Sequence, residues 1–109
     1  MLEDVVRKGR LLDLYGPLLT EKQRRCMEMH FDMDLSLSEI GEELHISRQG
    51  AYDMLKRASH SLESYEQRLH LLARYDAVRD KIDEVERLLD REEPQTLERA
   101  KQLLHEIEL

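Results

Sequence analysis

The sequence predicts an all-α protein, and two observations carry that prediction. Charged residues make up 38% of the 109 residues and aromatic residues only 5%, with four Gly, two Pro and no Trp. This composition is typical of highly charged helices rather than of a β-sandwich or an α/β enzyme. Apolar residues also recur at steps of three and four along most of the chain, which is the spacing of one face of an α-helix.

The first helix is predicted over residues 2–15. Gly16 and Pro17 end it, because glycine accepts a left-handed exit and proline cannot continue the hydrogen-bond ladder. The apolar face of this helix is predicted to include Val5, Leu11, Leu12 and Tyr15.

Two capping boxes predict the starts of the next two helices. Thr20 precedes Gln23 in a T-x-x-Q pattern, and the helix it opens runs to about Phe31. Ser36 precedes Glu39 in an S-x-x-E pattern, and this shorter helix ends near Leu44.

A long helix and a closing helix are predicted for the rest of the chain. Ser47 caps a helix that meets no stop signal from Arg48 to about Leu89. Its apolar steps contain two consecutive threes at 72, 75 and 78, so an overwound or kinked segment is expected there. Residues 90–94 break the pattern, and a helix from about Gln95 is expected to fold back as an antiparallel hairpin.

The charge distribution argues against a chain that binds nucleic acid along its whole length. The formal net charge is −7, of which residues 61–109 contribute −5, with eight basic and thirteen acidic groups. Residues 20–60 carry six basic and eight acidic groups, and this middle segment is the part expected to approach phosphate.

Neither a membrane span nor catalytic chemistry is expected. The sequence has no unbroken apolar run, no signal peptide and no nucleophile, phosphate-loop or zinc-protease motif. Cys26 is the single cysteine, which excludes an internal disulfide and suits a cytoplasmic protein. Cys26 and His30 lie four residues apart, but no second pair completes a metal site. We therefore expect a non-enzymatic protein without cofactor, metal or small-molecule substrate.

Residues 37–55 carry the spacing of a helix-turn-helix. Ile40 and Gly41 provide a large residue beside a small one where two helices cross, and His45 occupies the turn position that usually holds a left-handed glycine. The inward positions around them are predicted to be Leu44, Ile46, Ala51, Met54 and Leu55. An ordinary helical corner without a nucleic-acid role is the alternative. The chain is accordingly divided into an N-terminal helix (1–19), a helix-turn-helix domain (20–58) and a helical tail with its closing helix (59–109).

The segment LSLSEIGEELHISRQGAYDMLKRA resembles the fourth conserved region of bacterial sigma factors, which docks on the −35 promoter element. YGPLLTEKQR, SRQGAYDMLKR and the long acidic tail are more similar to the YlxM-like family of helix-turn-helix proteins, and this resemblance covers nearly the whole chain. The resemblance implies DNA binding. It also implies a link to the signal recognition particle pathway, because the family's gene lies beside those for the particle's GTPase and its receptor.

The start of the long helix holds the candidate nucleic-acid contacts. Side chains at the start of a recognition helix reach base edges, and basic residues one turn further on meet phosphates. Gly50 and Asp53 weaken this interpretation, because glycine offers no contact and a carboxylate repels phosphate. The candidate residues are Ser47, Arg48, Gln49, Tyr52, Lys56 and Arg57.

Three readings of the function stay open at this level. The first is a regulatory binder of double-stranded DNA. The second is a protein–protein adaptor or modulator that binds signal recognition particle protein or RNA, and the third is a structural dimer. A helix of this length needs a packing partner, which favours a homodimer over a monomer that buries the whole seam. The predicted seam consists of Leu62, Tyr65, Leu69, Leu72, Val78, Ile82, Val85 and Leu89.

Overall fold

The computed structural model describes residues 2–107, and these residues form six α-helices and no β-strand, which confirms the all-α prediction. A 3-10 turn over Gly16–Leu18 follows the first helix. The helices are α1 (Leu2–Tyr15), α2 (Glu21–Phe31), α3 (Leu37–Leu44), α4 (Arg48–Leu69), α5 (Leu71–Asp90) and α6 (Pro94–Glu106). They divide into two compact units with the boundary after His70, here called the N-terminal unit and the C-terminal hairpin.

Both predicted capping boxes are confirmed. The Gln23 amide donates to Thr20 Oγ1 at 3.2 Å, and the Thr20 amide donates to Gln23 Oε1 at 3.2 Å. At α3, the Glu39 amide donates to Ser36 Oγ and the Ser36 amide donates to Glu39 Oε1, each at 3.1 Å. These bonds satisfy amides that have no partner within the helix, so they fix where α2 and α3 begin.

In the N-terminal unit, α1, α2 and α3 all pack against α4. The Tyr15 hydroxyl lies in this core and donates to Glu66 Oε1 at 2.6 Å, which gives a buried carboxylate a strong donor. Of the residues predicted for the apolar face of α1, Leu11, Leu12 and Tyr15 are buried, whereas Val5 is 51% exposed. The largest fully buried side chains are Tyr15, Leu11, Met27, Ile40, Leu62 and Cys26.

The predicted single helix from Arg48 to about Leu89 is wrong. The helix ends at Leu69, and His70 adopts a left-handed conformation with φ 57° and ψ 28°. Its amide donates to the Glu66 carbonyl at 2.9 Å, which closes α4 as a left-handed C-cap. Residues 72–78, where an overwound or kinked segment is expected, lie within the helix α5, and the break falls before them at His70. The apolar spacing runs through the break, and therefore the sequence pattern conceals it.

The C-terminal hairpin consists of α5 and α6, which pack against each other as predicted. Glu92 has a positive φ of 55° in the short turn between them, and Pro94 occupies the first helical position of α6. The core of the hairpin is a single cluster of four buried residues, Val85, Leu88, Ala100 and Leu103. No helix within residues 2–107 is long and apolar enough to cross a membrane.

Candidate nucleic-acid interface

The close crossing of α3 and α4 is set by Gly41. A Cβ atom at this position would lie 2.7 Å from the Ile46 carbonyl oxygen, a backbone atom that cannot move aside. Ile40 beside it is fully buried, as is Ala51 on the facing side of α4. The predicted pair of a large and a small residue at the crossing is therefore confirmed, and it determines how closely α4 approaches α3.

His45 makes the turn between the two helices. It has φ 58° and ψ 43°, so the prediction that this histidine adopts the left-handed conformation is confirmed. The Ile46 amide then donates to the Gly41 carbonyl at 2.9 Å, which ties the turn to α3. Ile46 itself is half-buried rather than fully enclosed.

Ser47 and Gly50 define the start of α4. The Ser47 hydroxyl accepts a hydrogen bond from the Gly50 amide at 2.9 Å, the geometry of an N-cap. A Cβ atom on Gly50 would lie 3.1 Å from the same hydroxyl oxygen, so glycine leaves room for the cap. This provides a local structural reason for a glycine at a position where a contact residue would be expected.

The predicted contact residues lie along the exposed side of the first turns of α4. Gln49, Tyr52 and Lys56 have helical spacings of three and seven, which place them on one face. Arg48 and Arg57 are also exposed and flank this face. The distance from residue 48 to residue 57 along the axis is about 14 Å. The helix therefore presents one aromatic, one amide and three cationic side chains within a length suited to a single groove.

Asp53 changes the electrostatics of this face. Gln49 Nε2 donates to Asp53 Oδ1 at 3.1 Å, so the amide that could read a base is already engaged within the helix. The Asp53 carboxylate lies one turn from Gln49 and three residues before Lys56. It reduces the positive potential that phosphate would meet. The face combines basic flanks with an acidic centre.

The predicted partner seam falls into three groups in the structure. Leu62, Leu72 and Val85 are buried. Tyr65 and Val78 are half-buried, and the Tyr65 hydroxyl donates to the Leu18 carbonyl at 3.3 Å. Leu69, Ile82 and Leu89 are 45%, 41% and 45% exposed, so these three are the members of the seam that remain open to another molecule.

A pocket beside the interface is not predicted by the sequence. It has a volume of about 380 Å³. It lies between three other helices of the N-terminal unit and the face of α4 that carries Gln49, Tyr52 and Lys56, here called the recognition face. No linear motif indicates it, because its lining residues come from α1, α2, α3 and α4. They are Lys8, His30, Phe31, Leu37, Tyr52, Leu55, Lys56 and Ser59.

Cys26, one of the two residues with the spacing of metal ligands, lies in the core of the N-terminal unit. Cys26 is fully buried, and this burial raises the pKa of its thiol and keeps it protonated. Within residues 2–107, no group of three or more His, Cys, Asp and Glu side chains is placed to hold a metal ion.

The capped recognition helix, the left-handed turn and the glycine-mediated crossing define a helix-turn-helix protein. Residues 2–106 match the family described as "Putative helix-turn-helix protein, YlxM / p13 like", and the chain belongs to this family.

Relatives in several bacteria extend this match. A UPF0122 protein of Thermoanaerobacter sp. (strain X514) is 42% identical over 113 residues, covering 99% of this chain and 97% of the relative. A UPF0122 protein of Halalkalibacterium halodurans is 40% identical over 92 residues, covering 84% of each chain. A third, from Lacticaseibacillus casei, is 43% identical over 82 residues, covering 75% of this chain and 73% of the relative.

Proposed function

We propose that this protein is a regulatory DNA-binding protein without enzymatic activity, which docks the first turns of α4 on duplex DNA. The observation that carries the proposal is the exposure of Arg48, Tyr52, Lys56 and Arg57 on the start of a capped second helix. A recognition helix reads the major groove with its N-terminal residues, and arginine is the side chain best suited to bind guanine there.

The affinity expected from this face is modest. Three cationic side chains, Arg48, Lys56 and Arg57, would contact phosphate or base edges, while Asp53 opposes them. Neutralising about three phosphates gives a salt slope near −3, so affinity should fall by roughly fiftyfold between about 50 and 200 mM salt. The proposed binding is therefore dominated by the phosphate backbone, with base preference contributed by Arg48 and Tyr52.

Fluorescence anisotropy of a labelled random-sequence duplex tests the proposal across that salt range. Arg48→Ala should weaken binding severalfold, since one of the three cationic contacts is lost. Arg68→Ala is the matched control, because Arg68 is exposed on the same helix about 30 Å along the axis from Arg48. Equal affinity for both variants, or no binding at the low-salt end, would contradict the proposal.

The paired arrangement of many DNA readers suggests how two copies would bind, and we propose a homodimer formed through the C-terminal hairpin. Exposed aliphatic side chains repeat at seven-residue spacing on each of its helices, Ile82 and Leu89 on α5 and Leu97 and Leu104 on α6. Ile82→Glu with Leu89→Glu should shift the species seen by analytical ultracentrifugation from dimer to monomer. A wild-type chain that is monomeric at tens of micromolar contradicts this part.

A second candidate function is a protein adaptor in the signal recognition particle pathway, and the specific observation that favours it is an acidic face of α5. Asp80, Asp83, Glu86 and Asp90 lie on this face together with Arg87. Such a surface suits a basic protein partner better than a nucleic acid. The pathway itself is proposed from the family resemblance, with the particle's GTPase as the partner of this surface.

Charge reversal separates the two candidates. The triple variant Asp83→Lys, Glu86→Lys and Asp90→Lys should abolish binding to the particle's GTPase in isothermal titration calorimetry, while duplex affinity stays the same or rises. Reversal of three exposed acidic residues of the N-terminal unit, Glu21, Asp32 and Glu42, is the matched control. Loss of GTPase binding in the control variant alone would contradict the acidic face of α5 as the docking surface, and no GTPase binding by the unmodified chain would contradict the adaptor function.

A further inference from the structure

The pocket beside the recognition face has the chemistry of a ligand site. Its volume of about 380 Å³ falls within the range of roughly 300–1,000 Å³ that small-molecule sites occupy. It lies wholly within the N-terminal unit, and each of four helices contributes at least one lining residue. The packing of α1, α2 and α3 on α4 therefore creates the cavity, rather than the position of any single loop.

The interior of the pocket is apolar. Phe31, Leu37 and Leu55 provide hydrocarbon surface, and the ring of Tyr52 forms a further wall while remaining 48% exposed. His30 packs edge-on against Phe31, with ring centroids 4.8 Å apart. An apolar ligand body of one ring or a short branched chain would remove this surface from water.

The polar groups of the pocket are cationic or able to donate hydrogen bonds. Lys8 and Lys56 both line it. Lys8 is paired with Asp4 at 3.2 Å on α1, while Lys56 has no ion pair among the described residues. His30 Nδ1 is buried without a hydrogen-bond partner. The two lysines therefore supply the charge of the pocket.

We propose that this pocket binds a small amphipathic carboxylate, with its apolar body against Phe31, Leu37 and Leu55. The carboxylate of the bound ligand lies near Lys56 and Lys8. The arrangement of an apolar floor with two cationic side chains selects a negative head group on an apolar body and rejects the corresponding cation.

Ligand binding and nucleic-acid binding are coupled through shared residues, and this coupling rests on the proposed function. Tyr52 and Lys56 line the pocket and also belong to the proposed DNA contact set. A ligand that engages Lys56 withdraws one cation from phosphate and holds the Tyr52 ring against the pocket. Each ligand therefore weakens binding of the other by the same factor.

Titration followed by ¹H–¹⁵N NMR tests the proposal, with octanoate as the probe and octylammonium as its cationic counterpart. Octanoate should shift the amide signals of residues near the pocket, in particular 30, 31, 37, 52 and 55. Octylammonium should bind at least about fivefold more weakly, since it replaces attraction to two lysines by repulsion. Equal binding of the two probes, or octanoate shifts confined to residues 82, 89, 97 and 104, would overturn the proposal.

Variants of the two lysines sharpen the test, because methionine keeps the apolar stem and removes the charge. Lys8→Met and Lys56→Met should each weaken octanoate binding about two- to fivefold, with Lys101→Met on α6 as the matched control. Melting curves by circular dichroism verify that each variant is folded. Unchanged octanoate affinity in both folded lysine variants would overturn the proposal.

Two variants distinguish failure of the ligand site from failure of the DNA-binding function. Lys8 lies on α1, outside the DNA contact set, so Lys8→Met should weaken octanoate binding and leave duplex affinity unchanged. Arg48 does not line the pocket, so Arg48→Ala should weaken duplex binding and leave octanoate affinity unchanged. If both variants weaken the binding of octanoate and of duplex DNA, the two sites are not separate and the proposed pocket is overturned.

Discussion

The N-terminal unit and the C-terminal hairpin are stabilised in different ways. In the N-terminal unit, three helices pack on α4, and polar pairs such as Tyr15 with Glu66 and Arg7 with Glu63 join residues more than fifty positions apart. The hairpin has one cluster of four buried residues and leaves several aliphatic side chains exposed. The unit that presents the recognition helix is therefore the more extensively braced one.

This difference explains where the sequence was informative. Both capping boxes, the Gly41 crossing and the left-handed His45 follow from local rules that link residue type to a backbone requirement. The fold of the N-terminal unit could therefore be predicted largely element by element. The family match over residues 2–106 is consistent with that local reading.

The break at His70 and the pocket could not be predicted in the same way. His70 lies in a stretch of good helix formers and takes the same left-handed conformation as His45, yet no turn pattern surrounds it. Whether residues 48–90 form one helix or two depends on contacts between residues far apart in the sequence, and local helix propensity does not describe such contacts. The pocket depends on side chains from four helices, so no linear motif marks Lys8 or His30 as a lining residue.

The largest effect that separates the two units is expected from truncating the hairpin core. Leu103→Ala removes one of four buried residues and should cost about 2–4 kcal/mol, because so small a cluster has little to compensate with. We expect the NMR signals of residues 71–107 to lose their chemical-shift dispersion, while those of the N-terminal unit keep theirs. Leu62→Ala is the matched change in the N-terminal unit. Loss of signal dispersion in both units of Leu103→Ala would contradict the independent stability of the two units.

Gly41→Ala should destabilise the N-terminal unit by about 1–3 kcal/mol, because the new Cβ would overlap the Ile46 carbonyl. Urea denaturation followed by circular dichroism measures the change. Gly9→Ala is the control, since nothing lies within 4 Å of a Cβ there, and this helical position should gain about 0.5–1 kcal/mol. A neutral effect at Gly41 would mean that the two helices can separate without cost.

Ser47→Ala should cost about 1 kcal/mol through loss of the N-cap bond to the Gly50 amide. The thermal midpoint of the N-terminal unit should fall by several degrees, and amide exchange at the start of α4 should accelerate. Ser38→Ala, on the exposed side of α3 and outside any cap, should leave both unchanged. Equal effects at the two serines would remove the cap from the explanation.

The smallest effect concerns acid stability of the N-terminal unit. Arg7 donates two hydrogen bonds of 2.8 Å to Glu63, and these bonds hold the pKa of Glu63 below its usual 4.5. A depressed carboxyl pKa stabilises the fold above the unfolded pKa, and the contribution is lost as pH falls through the folded value. Glu63→Gln should therefore cost less than about 1 kcal/mol at pH 7, because the pair is exposed, and less still at pH 3.

Urea denaturation at pH 7 and pH 3 measures this difference. Glu98→Gln in the hairpin is the matched loss of a carboxylate and should leave the N-terminal unit unchanged at both values. A deficit in Glu63→Gln that is as large at pH 3 as at pH 7 would contradict an ionic origin.

The proposal that α4 is the nucleic-acid interface is tested most directly by mapping where duplex DNA binds, with ¹H–¹⁵N NMR of the full chain at about 50 mM salt. We expect the signals of Arg48, Gln49, Tyr52, Lys56 and Arg57 to shift on adding a short duplex, and those of residues 71–107 to stay in place. Shifts confined to the C-terminal hairpin, or none at all, would contradict the assignment of α4 as the nucleic-acid interface.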